Sequence, residues 1–181
     1  PISIADLGIT DADLANQYQY TKDIVTDSNG VLKGVSWQGC PGVLFYNRDA
    51  AKEVLGTDDP AKVQEYVKDW DTFLDTAETM KQAGYKMLSG PSDAKKPIID
   101  QRTSAWVEND TVNIDPVITE YLEFAKKLYD GEYTNNNAQW SDGWNTDFTA
   151  DVFGYFGCTW FTYWSINDEE GSDTYGKRNM C

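Results

Sequence analysis

Asp59-Pro-Ala-Lys-Val-Gln-Glu-Tyr-Val-Lys-Asp-Trp-Asp-Thr-Phe-Leu-Asp-Thr-Ala-Glu-Thr-Met-Lys-Gln-Ala-Gly-Tyr-Lys-Met-Leu88 reads as helix, helix, strand. Asp59-Pro60 opens the first helix, because proline suits the first helical position and the preceding side chain can cap it. Val63, Tyr66 and Val67 form its apolar side. Trp70, Phe73, Leu74, Ala77 and Met80 then recur at helical spacing up to Gly84, with Trp70 assigned to the core, and Tyr85 to Leu88 has strand character. Outward from this stretch the alternation continues. Asp115-Pro116 starts a helix that carries Ile118, Tyr121, Leu122, Ala125, Leu128 and Tyr129 and stops at Gly131. Its docked face is expected to be Ile118, Leu122, Ala125 and Tyr129. Asn47 to Leu55, ending at Gly56, is a further helix, and Val31 to Trp37, Val43 to Tyr46 and Val152 to Phe156 are further strands. Interleaved strands and helices predict an α/β fold.

The 181 residues are 40% hydrophobic, enough for one domain with a core, and no repeat, long linker or low-complexity tract marks a boundary, so residues 1–181 read as one α/β unit. Acidic residues outnumber basic ones 30 to 15, and a formal charge of -15 repels a phosphate backbone, so nucleic acid is excluded as a partner. No apolar run approaches the roughly 18 residues that cross a bilayer. The absence of histidine removes Ser-His-Asp and Cys-His nucleophiles and leaves carboxylates, Tyr, Lys or a lone Cys for any catalysis. Cys40, Cys158 and Cys181 have no metal-ligand spacing, and no metal or other cofactor is expected. Asp58-Asp59 and Asp168-Glu169-Glu170 read as solvated charge rather than as glycosidase carboxylates or calcium ligands, and Asp27-Ser-Asn-Gly30 reads as a turn. The chain opens at Pro1 without an initiator Met or signal-peptide pattern and does not taper at Asp173 to Cys181, which is expected of a piece cut from something larger.

Tryptophans outside the surest helices carry the functional reading. Gly34-Val-Ser-Trp-Gln-Gly-Cys-Pro-Gly-Val-Leu-Phe-Tyr-Asn47 runs strand, Gly/Pro elbow, strand, and leaves Trp37 beside Gln38 at a strand end. Its local reading is a bulged hairpin with a core Trp, and its alternative is a ligand contact. Trp140-Ser-Asp-Gly-Trp144 and Phe156-Gly-Cys-Thr-Trp-Phe-Thr-Tyr-Trp164 are two more aromatic clusters. Sugar rings present C–H faces that pack on indole and hydroxyl rims that need Asp, Asn or Gln, so Trp near Asp142, Asp93 or Gln38 suits a carbohydrate.

Taken in order, Asp6-Leu-Gly-Ile-Thr10, Asn16-Gln-Tyr18, Gly34-Val-Ser-Trp-Gln38, Pro41-Gly42, Tyr46-Asn47 with Ala50-Ala-Lys52, Trp70-Asp-Thr-Phe73, Ala105-Trp-Val107, Ile114-Asp115 and Gly154-Tyr-Phe-Gly157 to Trp160 resemble a known family. They are similar to the extracellular solute-binding proteins of sugar ABC transporters, the maltose-binding-protein-like family 1, in the form carried by Gram-positive gut bacteria. The resemblance covers nearly all of this chain and the middle portion of the family's chain. It implies a single lobe of a periplasmic-binding-protein-like, type II two-lobe fold, mostly the second lobe, without the first-lobe start or the C-terminal crossovers. It further implies ligand contacts at Trp37, Gln38, Asp93 and Trp160, with Trp140 and Trp144 as additional candidates. Cys40 stands in the elbow where relatives can carry polar sugar contacts, which is a departure.

What the resemblance implies about function is a non-catalytic sugar or oligosaccharide receptor that hands its ligand to the membrane permease of an ABC importer. The full-length parent would be a monomeric, extracellular, cell-surface lipoprotein. A glycoside hydrolase fragment and a free-standing carbohydrate-binding module are the alternatives. Three expectations follow from that reading: Trp37 and Trp160 share one cleft surface, Cys40 and Cys158 are neighbours that an oxidising exterior permits to bridge, and the isolated piece folds but binds sugars barely or not at all, while the full-length parent binds well.

Overall fold

The computed structural model describes residues 2–166 and 169–181. They divide into two compact units, Pro1–Pro41 and Gly42–Cys181, with the division inside the Gly/Pro elbow, where the sequence reading set no domain boundary.

In the first unit a 3-10 turn, Ile4–Leu7, is capped by Ser3, and a short helix, α1 (Gln19–Asp23), follows. The Asp27 turn forms as expected: its Oδ1 accepts the N–H groups of Asn29 and Val31, and Gly30 takes the left-handed conformation at φ 76°. The expected strand Val31 to Trp37 does not form; Leu32 makes one isolated bridge, to Thr26. The cause is local. Val31 and Lys33 make backbone hydrogen bonds with Asp27 and Val25, so the segment folds back on its own turn and finds no neighbouring strand, without which β propensity has nothing to act on. The bulged hairpin with a core Trp is therefore also absent, and Trp37 is 89% exposed.

The second unit is built on strands β1 (Gly42–Asn47), β2 (Lys86–Leu88), β3 (Val107–Glu108), β4 (Thr111–Val112), β5 (Val152–Cys158) and β6 (Arg178–Met180). Four of them form one mixed sheet in the order β2-β5-β1-β6. β1 is antiparallel to β5, with Leu44 opposite Phe156, and antiparallel to β6, while β2 runs parallel to β5. β3 and β4 make a separate small hairpin. Along β1, Leu44 and Tyr46 enter one core and Phe45 another, the period-two alternation of a strand covered on both faces.

The helices follow their caps. α2 (Arg48–Ala50) is capped by Asn47 and runs on as a π-helical turn, Ala51–Leu55, to Gly56 at φ 74°, so the expected helix exists with a wider second half. α3 (Pro60–Val67) is capped by Asp59, α4 (Trp70–Gln82) by Asp69, and α5 (Lys95–Ile99) continues a 3-10 turn, Pro91–Ala94. α6 (Pro116–Asp130) is capped by Asp115, and two short helices, α7 (Asp142–Thr146) and α8 (Phe161–Trp164), flank β5. These last two place Trp144 and Trp164 on helices rather than in loops.

The docked face of α6 is displaced from the expected stripe. Val117, Phe124 and Leu128 are buried and Ile118 packs against the same core as expected, whereas Leu122 is 59% and Tyr129 61% exposed. Two apolar stripes lie side by side on this helix, and aromatic packing chooses between them: the Phe124 ring sits 4.8 Å from Trp70 and 5.9 Å from Phe73, which turns its own stripe inward. Phe73, Ala77, Met80, Met87, Leu128 and Phe153 fill the first core around it. The second core is nearly all aromatic: Phe45, Trp144, Phe148, Tyr155 and Phe161, with Val152 and Ile166.

Candidate functional site

Three connections of the second unit meet beside the aromatic core: the one after β2, the one between α6 and α7, and the one after β5. Leu88 bridges Thr134, and the Asn137 N–H donates to the Ser89 carbonyl, so the first two connections are tied together. They pass so close at Gly90 that a Cβ there would lie 2.0 Å from the Asn137 carbonyl oxygen, which only glycine avoids.

Two carboxylates are buried in this corner. Asp93, in the 3-10 turn after Gly90, accepts the Gly90 N–H at 3.0 Å and the Trp144 Nε1–H at 2.8 Å. Burial pushes its carboxyl up to about 6, against the lowering effect of its donors, and the nearby Asp147 pushes the same way. Asp147 accepts the Ser89 hydroxyl at 2.6 Å, Asn137 Nδ2 at 2.9 Å and Asn135 Nδ2 at 3.1 Å. Below them Arg178 is buried and donates to the carbonyls of Phe148, Val152 and Phe153, and burial lowers its pKa to about 10. The guanidinium lies 5.5 Å from the Tyr155 ring, and burial pushes the Tyr155 hydroxyl well above the usual phenol range.

The aromatic layer rests on this base. Trp144 is fully buried and meets Phe148, Tyr155 and Phe161 edge-on. Trp140, 52% exposed, lies 4.8 Å from Trp144 and stacks on Trp160 at 5.8 Å with 19° between the planes. Trp160 is half-buried against the second core, and the exposed Tyr163 and Trp164 follow it on α8.

Of the expected site residues, the structure brings Asp93, Trp140, Trp144 and Trp160 together. They are not equivalent. Trp140 is half exposed and stacks on the half-buried Trp160, whereas Trp144 has no exposed surface and the Asp93 carboxylate is taken up by Trp144 and Gly90, so these two stand behind the surface rather than on it. Trp37 and Gln38 belong to the first unit, where both are exposed. Ser89, Asn135, Asn137, Asp147, Tyr155 and Arg178 were not singled out by the sequence; the Asn135-Asn-Asn137 run just before Trp140 was the one available signal.

Cys40 carries a free, exposed thiol, so its bridge to Cys158 is not formed in this structure. Asp58 does more than meet solvent, since it accepts from Arg48 at 2.7 Å and lies 3.1 Å from Lys52, and Asp59 is the α3 cap. Glu169 and Glu170 are exposed, while Asp168 lies outside the described residues. Among the described residues no group of three or more His, Cys, Asp or Glu side chains could hold a metal ion, and no helix is long and apolar enough to cross a membrane. What remains exposed is the Trp140 ring, a flat apolar face that can pack against the C–H face of a ring.

No protein-family model matches the sequence, and no curated protein matches it. Solved structures do match. An extracellular solute-binding protein of family 1 superposes with a TM-score of 0.79 at 16% identity, over 99% of this chain and 47% of its own. A binding protein of an ABC transporter from B. animalis subsp. lactis Bl-04, in complex with β-1,6-galactobiose, gives 0.70 at 18% identity, over 99% of this chain and 45% of its own. The galacto-N-biose/lacto-N-biose I-binding protein of an ABC transporter from Bifidobacterium longum gives 0.66 at 20%, over 91% of this chain and 41% of its own. The chain thus spans less than half the length of these proteins, and its α/β fold is that of a single lobe's worth of a solute-binding protein.

Proposed function

We propose that this chain is part of a carbohydrate receptor, a non-catalytic solute-binding protein that captures a sugar or oligosaccharide for an ABC importer. The observation that carries the reading is the exposed Trp140 indole stacked on the half-buried Trp160, in a fold shared with sugar-binding proteins of ABC transporters. The exposed Trp140 ring, held on the Trp160 ring it stacks on, gives a rigid apolar face at low entropic cost, which suits a pyranose ring. Trp37 and Gln38 offer an indole beside an amide on the first unit.

In the whole protein, binding would favour the closed form of a two-lobe receptor, and the membrane permease would read that closure. The same reading places the full-length parent outside the cell as a monomeric lipoprotein of a Gram-positive bacterium. Calorimetry with β-1,6-galactobiose, lacto-N-biose and xylo-oligosaccharides, on this chain and on its full-length parent, tests the proposal. The parent is expected to bind one of them in the micromolar range and this chain at least ~100-fold more weakly, because contacts from outside the chain are missing while most of the rotational and translational cost remains. Hydrolysis of any of these sugars overturns the receptor reading in favour of a glycosidase. Equal tight binding by both overturns it in favour of a self-sufficient binding module.

A further inference from the structure

The exposed indole of the stack is held in a conformation that its own backbone disfavours. Trp140 has φ 71°, in the left-handed region that bulky residues seldom adopt. Such a conformation persists only where the surroundings over-determine it. Its aromatic surroundings are Trp144 at 4.8 Å, Trp160 stacked at 5.8 Å and Phe161 edge-on at 5.8 Å. Trp144 is itself fully buried, and a buried indole N–H needs an acceptor. The acceptor is Asp93 Oδ1 at 2.8 Å. The other Asp93 oxygen is pinned by the Gly90 N–H, and Gly90 is pressed against Asn137 with no room for a side chain. A continuous chain of contacts therefore runs from the Gly90 backbone through a carboxylate and a buried indole to the exposed one.

We propose that Asp93 is the positioning residue of the aromatic platform: by accepting the Trp144 N–H it fixes Trp144, and Trp144 holds Trp140 flat against Trp160. Asp93 governs the ligand surface without touching the ligand. A charged acceptor makes the stronger, more directional hydrogen bond, roughly twice a neutral one, which explains why a carboxylate is kept among aromatic rings at a desolvation cost. The proposal rests on the sugar-platform reading for its functional half and on geometry alone for its structural half, and the two halves are measured separately.

The test uses the 181-residue chain labelled with 5-fluorotryptophan, each of its seven fluorine resonances assigned by single Trp→Phe substitutions. In Asp93→Ala and in Trp144→Phe, which keeps a ring but removes the donor, the Trp140 and Trp160 resonances should shift or broaden while those of Trp70 and Trp106 stay in place. Asp93→Asn, which keeps a carbonyl acceptor, should recover most of the wild-type Trp140 position. If Asp93→Ala does not fold, Trp144→Phe and Asp93→Asn decide the matter. A Trp140 resonance unmoved in a folded Asp93→Ala or Trp144→Phe protein overturns the proposal. Titration with β-1,6-galactobiose and lacto-N-biose supplies the second half: an affinity about tenfold weaker in both variants, with the double Asp93→Ala/Trp144→Phe variant no weaker than either single one. Failure of the wild-type chain and its parent to bind any sugar sinks the receptor reading, while the fluorine spectra still decide whether Asp93 sets the indoles.

Discussion

The sheet of the second unit separates two cores that are made differently. The one around Phe73, Met80, Phe124 and Leu128 is closed by helices α4 and α6 and relies on burial. The one around Trp144, Phe148, Tyr155 and Phe161 adjoins buried Ser89, Asp93, Asp147 and Arg178, each with directional hydrogen bonds. An apolar core tolerates small rotations of its parts, but an indole that must reach one carboxylate oxygen does not. The fold is secured on the first side of the sheet, and side chains are aimed on the second.

If that division holds, the largest stability losses belong to the first core. Phe73→Ala should cost about 3–5 kcal/mol and Leu128→Ala about 2–5 kcal/mol in urea unfolding, since both are buried with little room to relax. Losses under about 1 kcal/mol would mean that this side does not secure the fold.

The next effect in size separates the cores by pH. Asp93 has its carboxyl raised to about 6 in the folded chain, so between about pH 4 and pH 6 the native state holds a proton that the unfolded state has released. Its contribution to stability is complete below about pH 4 and is lost as pH rises through 6, about 3 kcal/mol in all. A neutral amide at this position does not titrate, so the stability of Asp93→Asn relative to wild type should rise by that order between pH 4 and pH 7. Asp115, which caps the first-core helix α6, runs the opposite way. The Ser104 hydroxyl, then the Val117, Ser104 and Thr103 N–H groups, hold it down to about 2, so its contribution is present above about pH 4 and lost as pH falls through 2. A flat pH response of Asp93→Asn relative to wild type would remove the electrostatic half of the contrast.

Two smaller effects sharpen it. Trp140→Ala removes a half-exposed ring from a strained backbone position, so stability should change by less than about 1 kcal/mol while sugar affinity in the full-length parent falls at least ~10-fold. Leu122→Ala, on the outward stripe of α6, should fall within about 0.5 kcal/mol of wild type, against the much larger cost at Leu128 further along the same helix.

These contrasts also mark what the residues disclose by themselves. Caps and periodicity are local, so Asp59-Pro60 and Asp115-Pro116 place their helices, and Val43 to Tyr46 and Val152 to Phe156 their strands. The tryptophan clusters point to the corner where the candidate site lies. Val31 to Trp37 misleads because its strand pattern has no partner, and α6 misleads because two adjacent stripes are equally apolar until Phe124 meets Trp70. The polar base is not legible at all: Ser89 and Asp147 lie 58 positions apart, and nothing near either foretells the hydrogen bond between them. Trp140 and Trp144 are alike in sequence, and the Asp93 carboxylate, 51 positions from Trp144, marks out the inner one.

The place of β1 at the middle of the sheet has a kinetic consequence. Val43-Leu-Phe-Tyr46 is among the most apolar runs in the chain, yet both strands that pair with it, Val152–Cys158 and Arg178–Met180, come more than a hundred positions later. Loop closure over such a span is slow compared with helix formation, so during refolding this run waits with both edges open. An unpaired, uncharged strand of this kind is where chains join one another before they join themselves, and refolding yield should fall steeply as protein concentration rises.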